Sequence, residues 1–220
     1  MAKPTLIVGN RNYSSWSLRP HMMLASAGIP FEEKLVRMFV PSFAKVLTKY
    51  KAAGKVPILV HNGFVIWDTL AIIEYIADTW PSKHIWPSNR KARALARSVS
   101  AEMHSGFQAL RDQCPVNLRR KPKLPAGGIS EAVARDIERI EAIWRQCRKA
   151  HGKGGPFLFG KFTGADAMYA PVASRIETYA IPVSKASRTY VDAILLTPAY
   201  QQWKKEAAKE TWTIDVDEVD

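Results

Sequence analysis

Thr5-Leu-Ile-Val8 followed by Tyr13-Ser-Ser-Trp-Ser-Leu-Arg-Pro20 is the stretch that decides the fold. A short apolar run predicts a strand, a turn dense in hydroxyls follows it, and an amphipathic helix begins after the turn. Helix N-termini carry unpaired N–H groups and a partial positive charge, so they stabilise anions. A serine held there can donate a hydrogen bond to a thiolate or oxyanion. It can equally be a plain helix cap, and the turn alone does not separate the two roles.

The second informative stretch is Gly54-Lys-Val-Pro-Ile-Leu-Val60, His61-Asn-Gly-Phe64 and Val65-Ile-Trp-Asp-Thr-Leu-Ala71. Pro57 stands where an apolar strand begins, a position strands accept. A cis Val56–Pro57 bond would account for it and would leave the backbone of Val56 free to pair with an extended peptide. Asn62-Gly63 between apolar runs predicts a two-residue hairpin turn. Asp68-Thr69 then opens a helical run to Trp80, with Asp68 a cap or a ligand-facing acid.

Together these motifs resemble the N-terminal domain of cytosolic glutathione transferases of the serine type, closest to zeta-like bacterial members. The resemblance implies an α/β thioredoxin-like N-terminal domain followed by an all-α helical bundle domain, with boundaries at 1–81 and 88–220. It further implies glutathione as co-substrate. Ser14 or Ser15 would activate the thiol, with Ser17 third and Arg19 part of the same motif. Trp16 and Lys55 would contact glutathione, Val56 would pair with its cysteinyl backbone, and Asp68 and Thr69 would hold its γ-glutamyl end. Ser105-Gly-Phe-Gln108 is similar to a zeta-class stretch whose Gln reaches glutathione bound to the partner of a homodimer.

Composition is that of a soluble globular protein, with 47% apolar and 24% charged residues. No run approaches the about eighteen apolar residues that span a bilayer, and the start Met1-Ala-Lys-Pro-Thr-Leu-Ile-Val8 is too short a signal for secretion. A cytoplasmic protein without a membrane or nucleic-acid partner is expected. Cys114 and Cys147 lack metal-ligand spacing and read as small buried hydrophobes, and no metal is expected.

The net charge is +12. Residues 83–123 hold ten Lys or Arg against Glu102 and Asp112, whereas Thr213–Asp220 holds four acids and no base. The basic stretch has no Gly–aromatic interleaving, so it reads as a solvated face or an attraction for acidic small molecules rather than a nucleic-acid surface. A field of this sign favours anionic glutathione.

After residue 88 strand signals nearly vanish. Apolar spacing predicts one long helix over 92–110, ended near Cys114-Pro115, and a second over 129–150 with Ala134, Ile137, Ile140 and Trp144 as its core face. Thr163-Gly-Ala-Asp166 reads as a capping box opening a helix to Ile176, which the resemblance makes a buried structural element. Helices over 187–196 and 198–208 close the chain. The order, mixed first and helical after, implies two packed domains joined near Trp80–Ser88.

Two departures from the resemblance matter. Zeta enzymes that isomerise maleylacetoacetate carry a Cys after the paired serines, and the catalytic Cys of the beta class would align there too. This chain has Trp16, so cysteine-based chemistry at that position is excluded. The expected activity is conjugation of the glutathione thiolate to small hydrophobic electrophiles, as in detoxification, with Trp16 a flat wall for aromatic ones. Trp16, His104 and Asn117 are the candidates for lining that pocket. The alternatives are a glutathione-dependent isomerase or dehalogenase acting on acidic substrates, and a non-catalytic transferase-like binding module.

Overall fold

A computed structural model describes residues 2–52 and 54–219. The chain opens with β1 (Thr5–Val8), α1 (Ser15–Ser26), β2 (Glu32–Leu35), α2 (Ser42–Thr48), β3 (Ile58–His61), β4 (Phe64–Trp67) and α3 (Thr69–Thr79). The sheet runs β2-β1-β3-β4, with β1 parallel to β2 and antiparallel to β3, and β3 antiparallel to β4. Glu32-Glu-Lys-Leu35 is neither apolar nor alternating, so no pattern announces β2. It becomes an edge strand through its register on β1, Thr5 opposite Glu32 and Val8 opposite Leu35.

Alternation along β1 divides the interior. Leu6 and Val8 enter the large core that includes Leu18 and Met22 of α1 and Ile72 and Ile76 of α3. Ile7 turns the other way, onto Val36, Leu47 and Ile58. Both faces of the sheet are thereby covered. Asn62 (φ 52°) and Gly63 (φ 78°) make the β3–β4 turn, both in the left-handed region that a tight hairpin demands.

The rest of the chain is helical: α4 (Arg90–Ser105), α5 (Gln108–Gln113), α6 (Glu131–His151), α7 (Gly164–Thr178), α8 (Lys185–Leu195) and α9 (Pro198–Ala207). The thioredoxin-like sheet followed by a helical bundle matches the expected fold class. The single helix expected over 92–110 is instead two. Phe107 takes φ 60°, and a Cβ on Gly106 would sit 2.9 Å from the Glu102 carbonyl oxygen, so the chain turns sharply there. Apolar spacing continues across the break and conceals it. In α6 Ile137, Ile140 and Trp144 are buried as expected, whereas Ala134 is exposed and Val133 is buried in its place.

Helix α7 is buried along nearly its whole length and α1 packs against it, which joins the sheet to the helical bundle. Asp166 carries the start of α7. Its carboxylate accepts from the Thr163 N–H and hydroxyl, both at 2.9 Å, and from the Leu158 N–H and Tyr190 hydroxyl, both at 3.0 Å. Burial pushes this carboxyl up to about 6, against the pull of those donors. Cys114 and Cys147 are buried and free, and burial pushes their thiols up to about 11 and about 12.

Replacing Asp166 by Ala strands four buried donors. Asp166→Ala should cost about 3–5 kcal/mol and lower the thermal midpoint by roughly 10 °C, read by calorimetry. An unchanged midpoint would show that the box does not hold α7.

Candidate active site

The hydroxyl turn folds as the cap of α1. Ser14 precedes the helix, and its Oγ accepts the Ser17 N–H at 3.2 Å and lies 2.8 Å from Ser17 Oγ. Ser17 is fully buried and accepts the Gly9 N–H at 3.0 Å. Two hydroxyls thus share one hydrogen bond, which leaves one proton over. If Ser14 donates, the spare proton sits on buried Ser17; if the pair turns round, it sits on Ser14. Ser14 and Ser15 border a cleft of 510 Å³, and Ser17 does not border it. The Ser15 hydroxyl has no hydrogen bond among the described residues.

Pro20 lies inside α1 and has no N–H to give to the carbonyl of Trp16, four residues earlier. The Thr69 hydroxyl supplies the donor instead, at 3.0 Å. This bond draws the N-terminus of α3 against the first turn of α1. Asp68 caps α3, its Oδ1 accepting from Leu70 and Ala71 N–H at 2.9 and 3.3 Å. Its backbone stands at φ 73°, ψ 135°, a conformation that costs a non-glycine residue about 1–3 kcal/mol. Asp68 Oδ2 faces His104 Nε2 at 3.2 Å, and the His104 ring meets Trp16 edge-on at 5.2 Å.

Asp68, Thr69 and His104 border a second cleft, of 580 Å³. Trp16, Lys55 and Val56 border both clefts, so the two meet along them. The Val56–Pro57 bond is cis. Pairing of β3 with β1 starts at Ile58, which leaves Val56 outside the ladder.

Two arginines, Arg111 and Arg175, border the first cleft, and a third, Arg19, lies buried behind Trp16. The guanidinium carbons of Arg19 and Arg111 lie 4.5 and 4.8 Å from the Trp16 ring centre. Arg19 donates to the Met168 carbonyl at 2.9 Å, and Arg175 to the Cys114 carbonyl at 2.7 Å. Arg111 donates to the carbonyls of Gly106, at 3.0 Å, and Met103. Burial, then the neighbouring guanidiniums, push Arg19 well down and Arg175 down to about 10, and at that value Arg175 is cationic at neutral pH. Asp217 borders the same cleft; burial pushes its carboxyl up, against the pull of Arg175.

The structure therefore gathers Ser14, Ser15, Trp16, Lys55, Val56, Asp68 and Thr69 around two joined clefts. It does not bring Gln108 there: this residue is exposed on α5 and donates to Asp112 at 2.6 Å. Asn117 is buried away from both clefts and accepts from Asn12 at 2.8 Å, because the chain spends it on fixing the turn after β1. His104 borders the second cleft rather than the Ser14 cleft. Arg111, Arg175 and Asp217 were not foreseen. A lone arginine in the otherwise apolar stretch Ala170-Pro-Val-Ala-Ser-Arg175 was the signal that could have marked one of them. No cluster of metal ligands occurs among the described residues, and none of their helices is long and apolar enough to cross a membrane.

Much of the basic segment 83–123 is occupied internally. Arg97 grips Glu74 through two bonds, of 2.9 and 2.7 Å. Arg119 donates to the Trp212 carbonyl at 2.9 Å and to Tyr13 Oη at 3.0 Å, and Arg120 holds the Val219 carbonyl. The acidic tail is drawn against these bases, with Tyr13 donating to Glu218.

A family model described as "Glutathione S-transferase, N-terminal domain" matches residues 13–79, and one described as "Glutathione S-transferase, C-terminal domain" matches 130–204. The chain is 27% identical over 193 residues to a probable maleylacetoacetate isomerase of Caenorhabditis elegans, covering 86% of this chain and 89% of that one. It is 41% identical over 86 residues to glutathione S-transferase U8 of Arabidopsis thaliana, 38% of either chain. Among solved structures, a glutathione transferase homologue from Burkholderia gl BGR1 with bound glutathione superposes with a TM-score of 0.72 at 24% identity, over 95% of this chain and 100% of that one. A Tau class glutathione S-transferase from mango, Mangifera indica, gives 0.69 at 19%, over 94% and 96%.

The Thr69–Trp16 bond can be measured by a double-mutant cycle in urea. Thr69→Val should cost about 1 kcal/mol in the parent. In a Pro20→Ala background the restored N–H takes over the Trp16 carbonyl, so the same change should cost less than half as much. Equal costs in both backgrounds would contradict the role given to Pro20.

Proposed function

We propose, for a chain that belongs to the glutathione S-transferase family, that it holds the glutathione thiolate at Ser14 and transfers it to a small hydrophobic electrophile in the first cleft. It is a glutathione-using enzyme of that family. The observation that carries the proposal is the placing of Ser14, a cap hydroxyl on the first cleft beside Trp16, whose partner Ser17 can return the hydrogen bond when Ser14 turns outward.

A free thiol titrates near ~8.5, and lowering that by about two units needs roughly 2.7 kcal/mol. A hydrogen bond to a charged group supplies about 1.5–3 kcal/mol and a helix N-terminus about 0.3–1 kcal/mol. The two together suffice. The thiolate sulfur then forms its bond to the electrophilic carbon, and the leaving group departs with its bonding pair. Ser15 supplies a second hydroxyl beside the first.

In this arrangement glutathione lies in the second cleft as an extended peptide. The free backbone of Val56 pairs with the cysteinyl unit, and Lys55 faces the glycyl carboxylate. The Asp68 carboxylate takes the γ-glutamyl ammonium. The Thr69 hydroxyl is committed to Trp16, which leaves its backbone N–H for the γ-glutamyl carboxylate. We assign residues 1–81 to this glutathione-binding unit and 88–220 to the helical one. We also propose a cytoplasmic detoxifying enzyme that works as a two-fold homodimer, in which exposed Gln108 reaches the glutathione of the partner.

Glutathione-dependent isomerisation is the second reading, and the relatives named maleylacetoacetate isomerase favour it. A non-catalytic binding module has no need of Ser14, Val56, Asp68 and Thr69 together around joined clefts.

Calorimetry should record glutathione binding, weakened by Asp68→Ala through loss of a charge-assisted contact of roughly 1.5–3 kcal/mol. Ultraviolet thiolate absorbance should report a depressed thiol pKa that Ser14→Ala returns towards the free value with affinity retained. No heat at millimolar glutathione would overturn the proposal, and an unmoved thiol pKa would acquit Ser14 and point to Ser15.

A further inference from the structure

We propose that Arg111 and Arg175 form a carboxylate subsite in the first cleft, with Arg19 adding its charge from behind Trp16, so that the electrophile is an organic anion with an apolar body. This rests on the conjugating role proposed above. Arg19 is fully buried and Arg175 is 4% exposed, and each has one guanidinium nitrogen, Nη2 of Arg19 and Nη1 of Arg175, buried without a partner. Among the described residues none of the three arginines makes an ion pair, and the hydrogen bonds they do make all go to backbone carbonyls.

Buried charge without a counterion is costly, and guanidiniums gathered together add repulsion to that cost. The charges around them do not cancel it. Asp217 borders the cleft and acts on Arg175 but on neither Arg19 nor Arg111, and Lys55 adds a further positive charge to the same cleft. Asp68 acts on Arg19, and Asp112 and Asp136 act on Arg111, each from outside the cleft. Asp68 is moreover engaged with His104. A ligand carboxylate would supply the missing counterion and meet the planar donor fork that guanidinium presents.

Glutathione's own carboxylates do not serve this need, since Arg111 and Arg175 border the first cleft and not the second. The other walls, Met38, Phe39, Phe43 and Val116, are apolar and fit a ring or alkyl body. The cleft thus combines a greasy wall with a cationic floor, and Trp16 links the two by stacking on Arg19 and Arg111.

The test compares para-chloro-meta-nitrobenzoate with its neutral amide on the glutathione-saturated protein, each rate divided by that of free glutathione thiolate. Calorimetry runs in parallel with the unreactive nitrobenzoate and nitrobenzamide. The benzoate should win by about tenfold or more in kcat/KM and in affinity, with the margin shrinking as salt is added. Arg175→Lys should raise KM for the benzoate several-fold more than for the amide.

Equal or better use of the amide would overturn the anion subsite while leaving the conjugating enzyme intact. A variant that slows both compounds alike would assign Arg175 to folding or to the thiolate, against the proposal. If neither compound is turned over although glutathione binds, conjugation fails, and the affinities alone decide the subsite. A nitrobenzoate that binds no better than the nitrobenzamide would then refute it.

Discussion

The N–H that Pro20 lacks is the constraint on which the site depends. A proline inside a helix orphans the carbonyl one turn back, and here that carbonyl belongs to Trp16. The hydroxyl of Thr69 fills the gap, so the N-termini of α1 and α3 are fastened to each other. Everything chemical in the site hangs from those two ends: Ser14 and Ser15 on one, Asp68 and Thr69 on the other, with Trp16 between them. Both helix ends direct positive potential at the same region, where an anionic peptide would be stabilised twice.

A second constraint is that α1 has almost no solvent face. It lies between the sheet and α7, so each polar group it carries must find a partner inside. Ser17 takes the Gly9 N–H, His21 sits between Glu33 and the Ala199 carbonyl, and Arg19 gives a proton to the Met168 carbonyl. Three places escape this rule: the spare proton of the Ser14–Ser17 pair, the Ser15 hydroxyl and the unpartnered nitrogen of Arg19. The two serines lie on the first cleft, which is what an active site requires: unspent polar capacity held rigidly by neighbours that are fully spent.

The readable parts of the sequence were those where local chemistry and tertiary demand agree. The β1 run, the Asn62-Gly63 turn, the Pro57 strand start and the Thr163–Asp166 box each have a short-range cause, and the structure contains each of them. Glu32-Glu-Lys-Leu35 has no such cause; its strand exists because β1 offers an edge. The break at Gly106-Phe107 was hidden because the apolar spacing continues through it. Asn117 was misplaced for a related reason, since only the tertiary fold reveals that Asn12 claims it. The cationic floor was the least legible feature. Arg19, Arg111 and Arg175 come from three separate helices or their flanks, and no spacing in one dimension brings them under Trp16. Their presence moves the expected electrophile from a neutral aromatic to one that also carries negative charge.

The central claim is that the cap of α1 presents a serine proton to a peptide thiolate in the first cleft. A crystal structure of the protein with glutathione tests this most directly. The account predicts the sulfur within hydrogen-bond reach of Ser14 Oγ, with the cysteinyl backbone paired to Val56 and the γ-glutamyl end beside Asp68. Glutathione seated with its sulfur remote from Ser14 and Ser15, or lying outside the cleft between Val56 and Asp68, would contradict it.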